Sequence, residues 1–341
     1  MYFRARFQPG DQFIYGIFGI QYRGEKPTGR QLELIDTFDK LIDGRSHFDR
    51  ILCPGPNEFR TRIWLSYWWP DKYEEWWTSP PVTRFWSDLP DDAGVWREIL
   101  TVPASRTQNA VTHELKNGVN GLGEMEASSE HSGYWGCMRD RLSESSPEQR
   151  FKSPLDEVPE RVPEGPSIRK GRIIITELPD NICFLVEGQD HSLMVPEERT
   201  AWFEKFDDLT DEWMHDLEAN AAANGLLDVR MGCVVEFGKF RDKGKGPVFL
   251  DYNRKIELFY WLDIAQFERV GRSHKGHIKL RKDFMTTYSV GKLGSGIGKC
   301  CLWEETSVMK GSEIQAEYVG CREGTGFMGY DETGKIKSQV L

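Results

Sequence analysis

The chain predicts an α+β fold made of two copies of one β-α-β-β-α-β unit, and three observations predict it. In each half, short apolar runs rich in aromatic and β-branched residues alternate with stretches of helical spacing. The segments RIWLSYWWPDKYEEW (62–76) and KIELFYWLDIAQFER (255–269) match at Ile63 and Ile256, Leu65 and Leu258, Tyr67 and Tyr260, and Trp68 and Trp261. Between the copies, LSESSPEQRFKSPLDEVPERVPEGPSI (142–168) is rich in Pro, Ser and charge and reads as an exposed linker.

The elements follow in order. FIYGIFGIQY (13–22) reads as a buried strand, and 29–43 carries Leu32, Leu34, Ile35, Phe38, Leu41 and Ile42 at helical spacing, closed by Gly44. RIWLSYWW (62–69) is a strand, followed by the aromatic helical segment DKYEEWWTSPPVTRFW. In the second copy NICFLVEGQ (181–189) is a strand, 199–225 one long helix ending at Asn224-Gly225, and VRMGCVVEFG and KIELFYWL are strands. KFRDKGKGP (239–247) reads as a solvated loop and GKLGSGIGK (291–299) as a mobile one, since no Walker-type lysine followed by Ser or Thr occurs in it. This divides the chain into an N-terminal half (1–145), a linker (146–168) and a C-terminal half (169–341).

Composition narrows the function. The net charge of −10 and pI near 5.4 argue against nucleic acid or an anionic membrane surface as partner. MYFRARFQPGDQ has no apolar leader-like run and no stretch approaches a membrane span, so a cytoplasmic protein without a membrane partner is expected. The seven cysteines contain no CxxC, which makes reduced, buried thiols the expectation. Twelve Trp, eleven Tyr and nineteen Phe exceed what an ordinary core needs and suit the walls of a pocket for a flat or apolar small molecule.

The residues with candidate chemistry lie in RSHKGHIKL (272–280), where His274 and His277 stand three apart. Past the shared Tyr-Trp of the repeat, the first copy has WWTSPPVT (76–83) where the second has VGRSHKGH (270–277), so prolines correspond to histidines. A helix start needs no histidine. With Ser273 as N-cap, His277, Leu280 and Phe284 share one face, and one imidazole nitrogen projects from apolar surroundings. A capping or core histidine is the alternative. Zinc would need three or four ligands, and no further Cys or His sits at zinc spacing. One neutral imidazole beside an aromatic-walled pocket is what the proximal bond of a haem asks for.

FGIQYRG (18–24), the WWP block, HSGYWGCMRDRL (131–142), NICFLVEGQDHS (181–192), FERVGRSHKGHIKLRKDFM (267–285) and LWEETSV (302–308) together resemble the haem-containing aldoxime dehydratases, in that family's order and almost from end to end. The resemblance implies a dimeric α+β barrel of two fused ferredoxin-like halves, hence a homodimer, with haem b and its iron as cofactor. It implies that His277 of HKGH is the axial ligand, with His274 its neighbour at the cofactor. It implies removal of water from an aldoxime to give a nitrile, with Arg139 or Arg141 of MRDR, Arg139 favoured, holding haem pocket and oxime.

The chain departs from the family pattern at two places. Glu304 of LWEE stands where the family has a distal histidine, and Glu187 of VEGQDH where it has a serine that bonds the oxime. A carboxyl kept neutral by burial can act as general acid, so Glu304 and Glu187 are the candidate acid-base pair, sharing a proton if both face the iron. Glu130 is a further acidic candidate. The alternatives are a haem enzyme acting on another N–O or N–N bond with Glu304 as distal acid-base, and a haem-binding protein without turnover.

Overall fold

The computed structural model describes residues 2–128, 138–290, 293 and 298–341. The first copy of the unit comprises β2 (Gln12–Arg23), α1 (Gly29–Ile42), β3 (His47–Pro54), β4 (Phe59–Trp68), α2 (Pro70–Trp77), α3 (Pro80–Ser87) and β5 (Val95–Pro103), preceded by β1 (Tyr2–Ala5). Then come β6 (Thr107–Val111), β7 (Met125–Ser128) and β8 (Arg172–Glu177). The second copy comprises β9 (Ile182–Asp190), α4 (Pro196–Lys205), α5 (Asp207–Ala219), α6 (Ala221–Asn224), β10 (Leu226–Lys239), β11 (Tyr252–Trp261), α7 (Ile264–Ser273), α8 (Lys275–Met285) and β12 (Cys301–Met309). β13 (Ile314–Val319) and β14 (Lys337–Val340) close the chain.

Among the described residues the strands form one antiparallel 14-stranded sheet in the order β14-β8-β13-β5-β2-β4-β3-β10-β11-β9-β12-β6-β1-β7. At its centre the two copies meet through β3 and β10, and each runs outward in the same internal order, so the chain is an α+β protein with a duplicated unit. Strands also cross between the halves: β8 and β13 extend the sheet beyond β5, while β6 and β1 extend it beyond β12. Each half therefore completes the other's edge.

The duplication reaches side chains. A Cβ on Gly19 would lie 2.1 Å from Trp96, and one on Gly188 2.0 Å from Trp303, because each indole lies across the glycine opposite it in register. Two residues beyond each Trp is a buried glutamate. Glu98 accepts from Tyr260 at 2.7 Å, and Glu305 from Tyr67 at 3.3 Å, so the two matched tyrosines reach across to the other copy's carboxyl. Tyr15 meets Phe184 edge-on at 5.1 Å. The inner faces of β2, β4 and β5 thus pack on those of β9, β11 and β12 in one core, and the helices cover the outer faces.

Four expectations need correction. The stretch 199–225 is three helices, because the chain breaks at Phe206 (φ −117°) and Asn220 (φ −116°); the end at Gly225, in the left-handed region at φ 91°, is as expected. The segment 142–168 is not a free linker: Phe151 is 0% exposed and Leu142 1%, both packed under the second copy, and the backbone N–H of Ser153 donates to Asp263 at 3.0 Å. Arg241 in the 239–247 segment is buried between Asp207, Asp211 and Asp251, and so fastens the β10–β11 connection to α5. His274, not Ser273, caps α8, as shown below. Six cysteines are free and buried, and Cys137 lies outside the described residues. Among the described residues, no helix is long and apolar enough to cross a membrane.

Candidate functional site

Alternation along β9 places Phe184 and Val186 in the inner core and Cys183, Leu185 and Glu187 on the outer face. Glu187 stands directly opposite Glu257 of β11 on one side and Glu304 of β12 on the other. Three carboxyls therefore lie in a row across neighbouring strands. The equivalent row in the first copy is Trp64, Phe18 and Arg97. There the space under the helices is filled: Phe18 lies 5.0 Å from Phe38 and 5.5 Å from Trp76, and Arg97 sits 4.1 Å over Trp77. The second copy has carboxyls and a cavity instead.

α5 and α8 roof this face. α8 starts where the Nδ1 of His274 accepts the backbone N–H of His277 at 3.1 Å, the bond expected of an N-cap. The His274 Nε2 lies 3.5 Å from Asp216 and its ring 4.6 Å from that of Trp213, so it is committed to the helix joint and does not line the cavities. His277 is presented differently. Its ring stacks on Trp213 at 4.8 Å, its Nδ1 lies 3.0 Å from the carbonyl of Gly271 at the end of α7, and burial pushes its pKa below the usual imidazole value. Donation from Nδ1 to that carbonyl leaves the Nε2 lone pair free on a neutral ring.

Two adjoining cavities share Glu187, Trp213 and His277. One, about 60 Å³, is walled by Trp202, Phe206, Met214, Leu280, Phe284 and Leu302, so His277, Leu280 and Phe284 do share a face. The other, about 270 Å³, is bounded by Trp261, Phe267, Val270, Glu268, Arg272 and Arg281. A larger depression of about 850 Å³ lies along residues 154–163, distant in composition from this chemistry: it is lined by prolines and solvated charges.

The carboxyls are perturbed in one direction. Burial pushes Glu187 up to about 7. Glu304, 1% exposed, is pushed up to about 8 by burial, against hydrogen bonds from Thr306 Oγ1 and Gln108 Nε2 that pull the other way. Gln108 in turn accepts from Arg141 at 3.1 Å, so Arg141 reaches Glu304 through one amide. Arg139 is 4% exposed and points elsewhere: it pairs with Glu268 at 3.1 Å and donates to the carbonyl of Arg150 at 2.8 Å. Of the two arginines, Arg141 is thus the one joined to the carboxyl row, and Arg139 supports a wall of the larger cavity through Glu268. Glu130 and the GYWG block lie outside the described residues, as does most of 291–297.

Sequence reading missed Gln108 and Glu257. Glu257 had a signal, since the repeat aligns it with Trp64; Gln108 lies on β6, outside the repeat, and only the pairing of β6 with β12 brings it to Glu304.

The model of the haem-containing dehydratases matches residues 16–327. The chain belongs to the haem-containing dehydratase family. A phenylacetaldoxime dehydratase of Bacillus sp. (strain OxB-1) is 26% identical over 99% of this chain and 93% of that protein. An aliphatic aldoxime dehydratase of Rhodococcus globerulus is 29% identical over 93% of this chain and 86% of that one. Among solved structures, an aldoxime dehydratase in complex with butyraldoxime superposes with a TM-score of 0.78 at 22% identity, covering 96% of this chain and 88% of that one. A second aldoxime dehydratase gives 0.78 at 24% identity, covering 96% and 90%. These establish the fold.

The family's cofactor fits the residues present. No group of three or more His, Cys, Asp and Glu able to hold a bare metal ion occurs among the described residues, whereas a haem asks for one axial donor and apolar walls. His277 has the free nitrogen, and the aromatic and aliphatic side chains around it form such walls.

Proposed function

We propose that this protein is a haem-dependent aldoxime dehydratase, converting R–CH=N–OH to the nitrile and water. The observation that carries the reading is the opposition, across one cavity, of a neutral imidazole with a free nitrogen, on α8, to the half-buried Glu187 on the sheet, which is paired in register with the buried Glu304 behind it, both carboxyls with raised pKa. His277 would hold the haem, and His274 would set the start of the helix that carries it. When bound, the haem supplies an electron-rich iron for the oxime nitrogen.

The remaining chemistry belongs to this chain's side chains. Dehydration moves two protons: the leaving hydroxyl needs one, and the carbon must lose one. Glu304, held up to about 8, keeps its proton at neutral pH and delivers it to the hydroxyl. Glu187, near 7, is the member ionised in useful amount and takes the proton from carbon. Transfer between the two across the β9–β12 pair restores the starting state. Arg141, through Gln108, keeps the Glu304 carboxyl oriented. The aromatic walls exclude water, so both protons stay within the site. In the same reading each copy is a ferredoxin-like half, and the protein is a cytoplasmic homodimer.

The test is direct. Purified protein should show a Soret band, and ferrous protein held anaerobically should form nitrile from phenylacetaldoxime or butyraldoxime. A Soret band without nitrile from any aldoxime would reject dehydration; no haem uptake would reject the reading entirely.

A further inference from the structure

The acid-base scheme above leaves one carboxyl of the row unused. Glu257 is 0% exposed, and neither of its oxygens receives a hydrogen bond from another described residue, only its own backbone N–H weakly favouring its charged form. Its position in the first copy is taken by Trp64, a packing residue whose indole donates to Asp39 at 2.8 Å. A buried carboxyl with no donor is costly in its charged form and keeps its own proton, which turns it from an acceptor into a donor.

What that donor can reach is set by register. Directly opposite residues of an antiparallel pair have Cβ atoms roughly 5 Å apart, and the residue opposite Glu257 on β9 is Glu187. The charged groups acting on Glu257 are Glu187 and, two residues along its own strand, Lys255. Lys255 is engaged: its Nζ lies 3.1 Å from His191 Nδ1, and burial pulls it down to about 7. Glu187 itself has Glu304 on its other flank, and shares its cavities with His277, Glu268, Arg272 and Arg281. Burial first, then the charge of Glu187, raises the pKa of Glu257 well above the usual carboxyl value. Glu187 is half-buried and lines both cavities, whereas Glu257 is fully buried and lines neither, so the first charge of the pair forms on Glu187.

We propose that Glu257 is a positioning residue for Glu187: it retains its proton and donates a hydrogen bond across the β9–β11 pair, so that Glu187 is the member that gives up and takes the proton. This rests on the role of Glu187 as base in the proposed dehydration. Without the donor, the Glu187 carboxylate would face an apolar strand on one side and a second carboxyl on the other, and would ionise only at higher pH.

The experiment follows the carboxyl bands of the holoprotein by infrared difference spectroscopy against pH, with Glu187→Gln assigning the Glu187 band. In the wild type Glu187 should titrate above the ordinary carboxylate range. Glu257→Gln retains an N–H donor and should leave that titration in place, whereas Glu257→Met, similar in length but without a donor, should move it up by about one unit or more. The alkaline shift in Met with rescue by Gln supports the proposal; a Glu187 titration unchanged or lowered in Met overturns it. Glu257→Leu serves as the second apolar variant if the Met protein does not fold, with the Soret band as the check on each. Because the band is read without turnover, a wild type that makes no nitrile would reject the proposed function while this titration is still read on its own.

Discussion

Replacing Glu304 by Gln should raise stability relative to the wild type toward alkaline pH while lowering activity. The carboxyl is 1% exposed and is pushed from an ordinary 4.5 up to about 8, chiefly by burial. Its folded-state pKa is therefore above its unfolded value, so between those two pH values the unfolded chain binds fewer protons and the folded state loses stability as pH rises. At 1.36 kcal/mol per unit, Glu304 alone costs the wild type roughly 3–4 kcal/mol between pH 5 and pH 8. Gln is of the same size and does not titrate. It meets the Gln108 amide with one mismatched donor, but that penalty is constant with pH. Urea unfolding of both proteins at pH 5 and pH 8 should then show Glu304→Gln gaining on the wild type by that amount toward pH 8. In the haem-loaded protein the same variant should lose about a hundred-fold or more in rate with the Soret band retained, and should lack the wild type's fall in activity through pH about 8. Parallel pH dependences of stability would refute the buried, proton-holding carboxyl, and an unchanged rate would remove Glu304 from the chemistry.

His277→Ala should abolish the Soret band or leave haem loosely held, while His274→Ala should retain haem and cost about 1 kcal/mol through loss of the α8 cap; absorption spectra and thermal melts separate the two. Gln108→Ala removes a hydrogen bond that lowers the Glu304 pKa and cuts its link to Arg141, so the alkaline limb of the rate profile should move to higher pH. Gly188→Ala would place a Cβ 2.0 Å from the Trp303 ring and should destabilise by about 1–3 kcal/mol or more in denaturant unfolding. Since Glu187 adds bulk and ionisable character where the family pattern has serine, phenylacetaldoxime and butyraldoxime should turn over more slowly than an amine-bearing oxime; equal or faster turnover of the two simple oximes, measured as nitrile per haem, would contradict this.

The sequence by itself determined what is local or periodic. The duplicated unit is visible because strand alternation and helical spacing recur at matching steps, from Ile63 and Ile256 to Trp68 and Trp261, and the same comparison singled out the histidines where the first copy has prolines. His277 on an apolar helical face follows from spacing alone. Which residue caps that helix did not, since Ser273 and His274 are both competent and only the turn out of α7 decides that the His274 ring accepts the bond. Likewise the breaks at Phe206 and Asn220, the burial of Phe151, and the Arg241 clamp depend on partners distant in sequence.

Tertiary structure also decided the chemistry of the row. Glu187, Glu257 and Glu304 lie on three strands separated by tens of residues, and a shift of one residue in any pairing would turn its glutamate into the inner core. Register is fixed by cross-strand packing, here by Trp303 lying on Gly188, and is not written in any single segment. The raised pKa of each carboxyl is a property of burial, which comes into being only when the sheet closes on the segments that cover it.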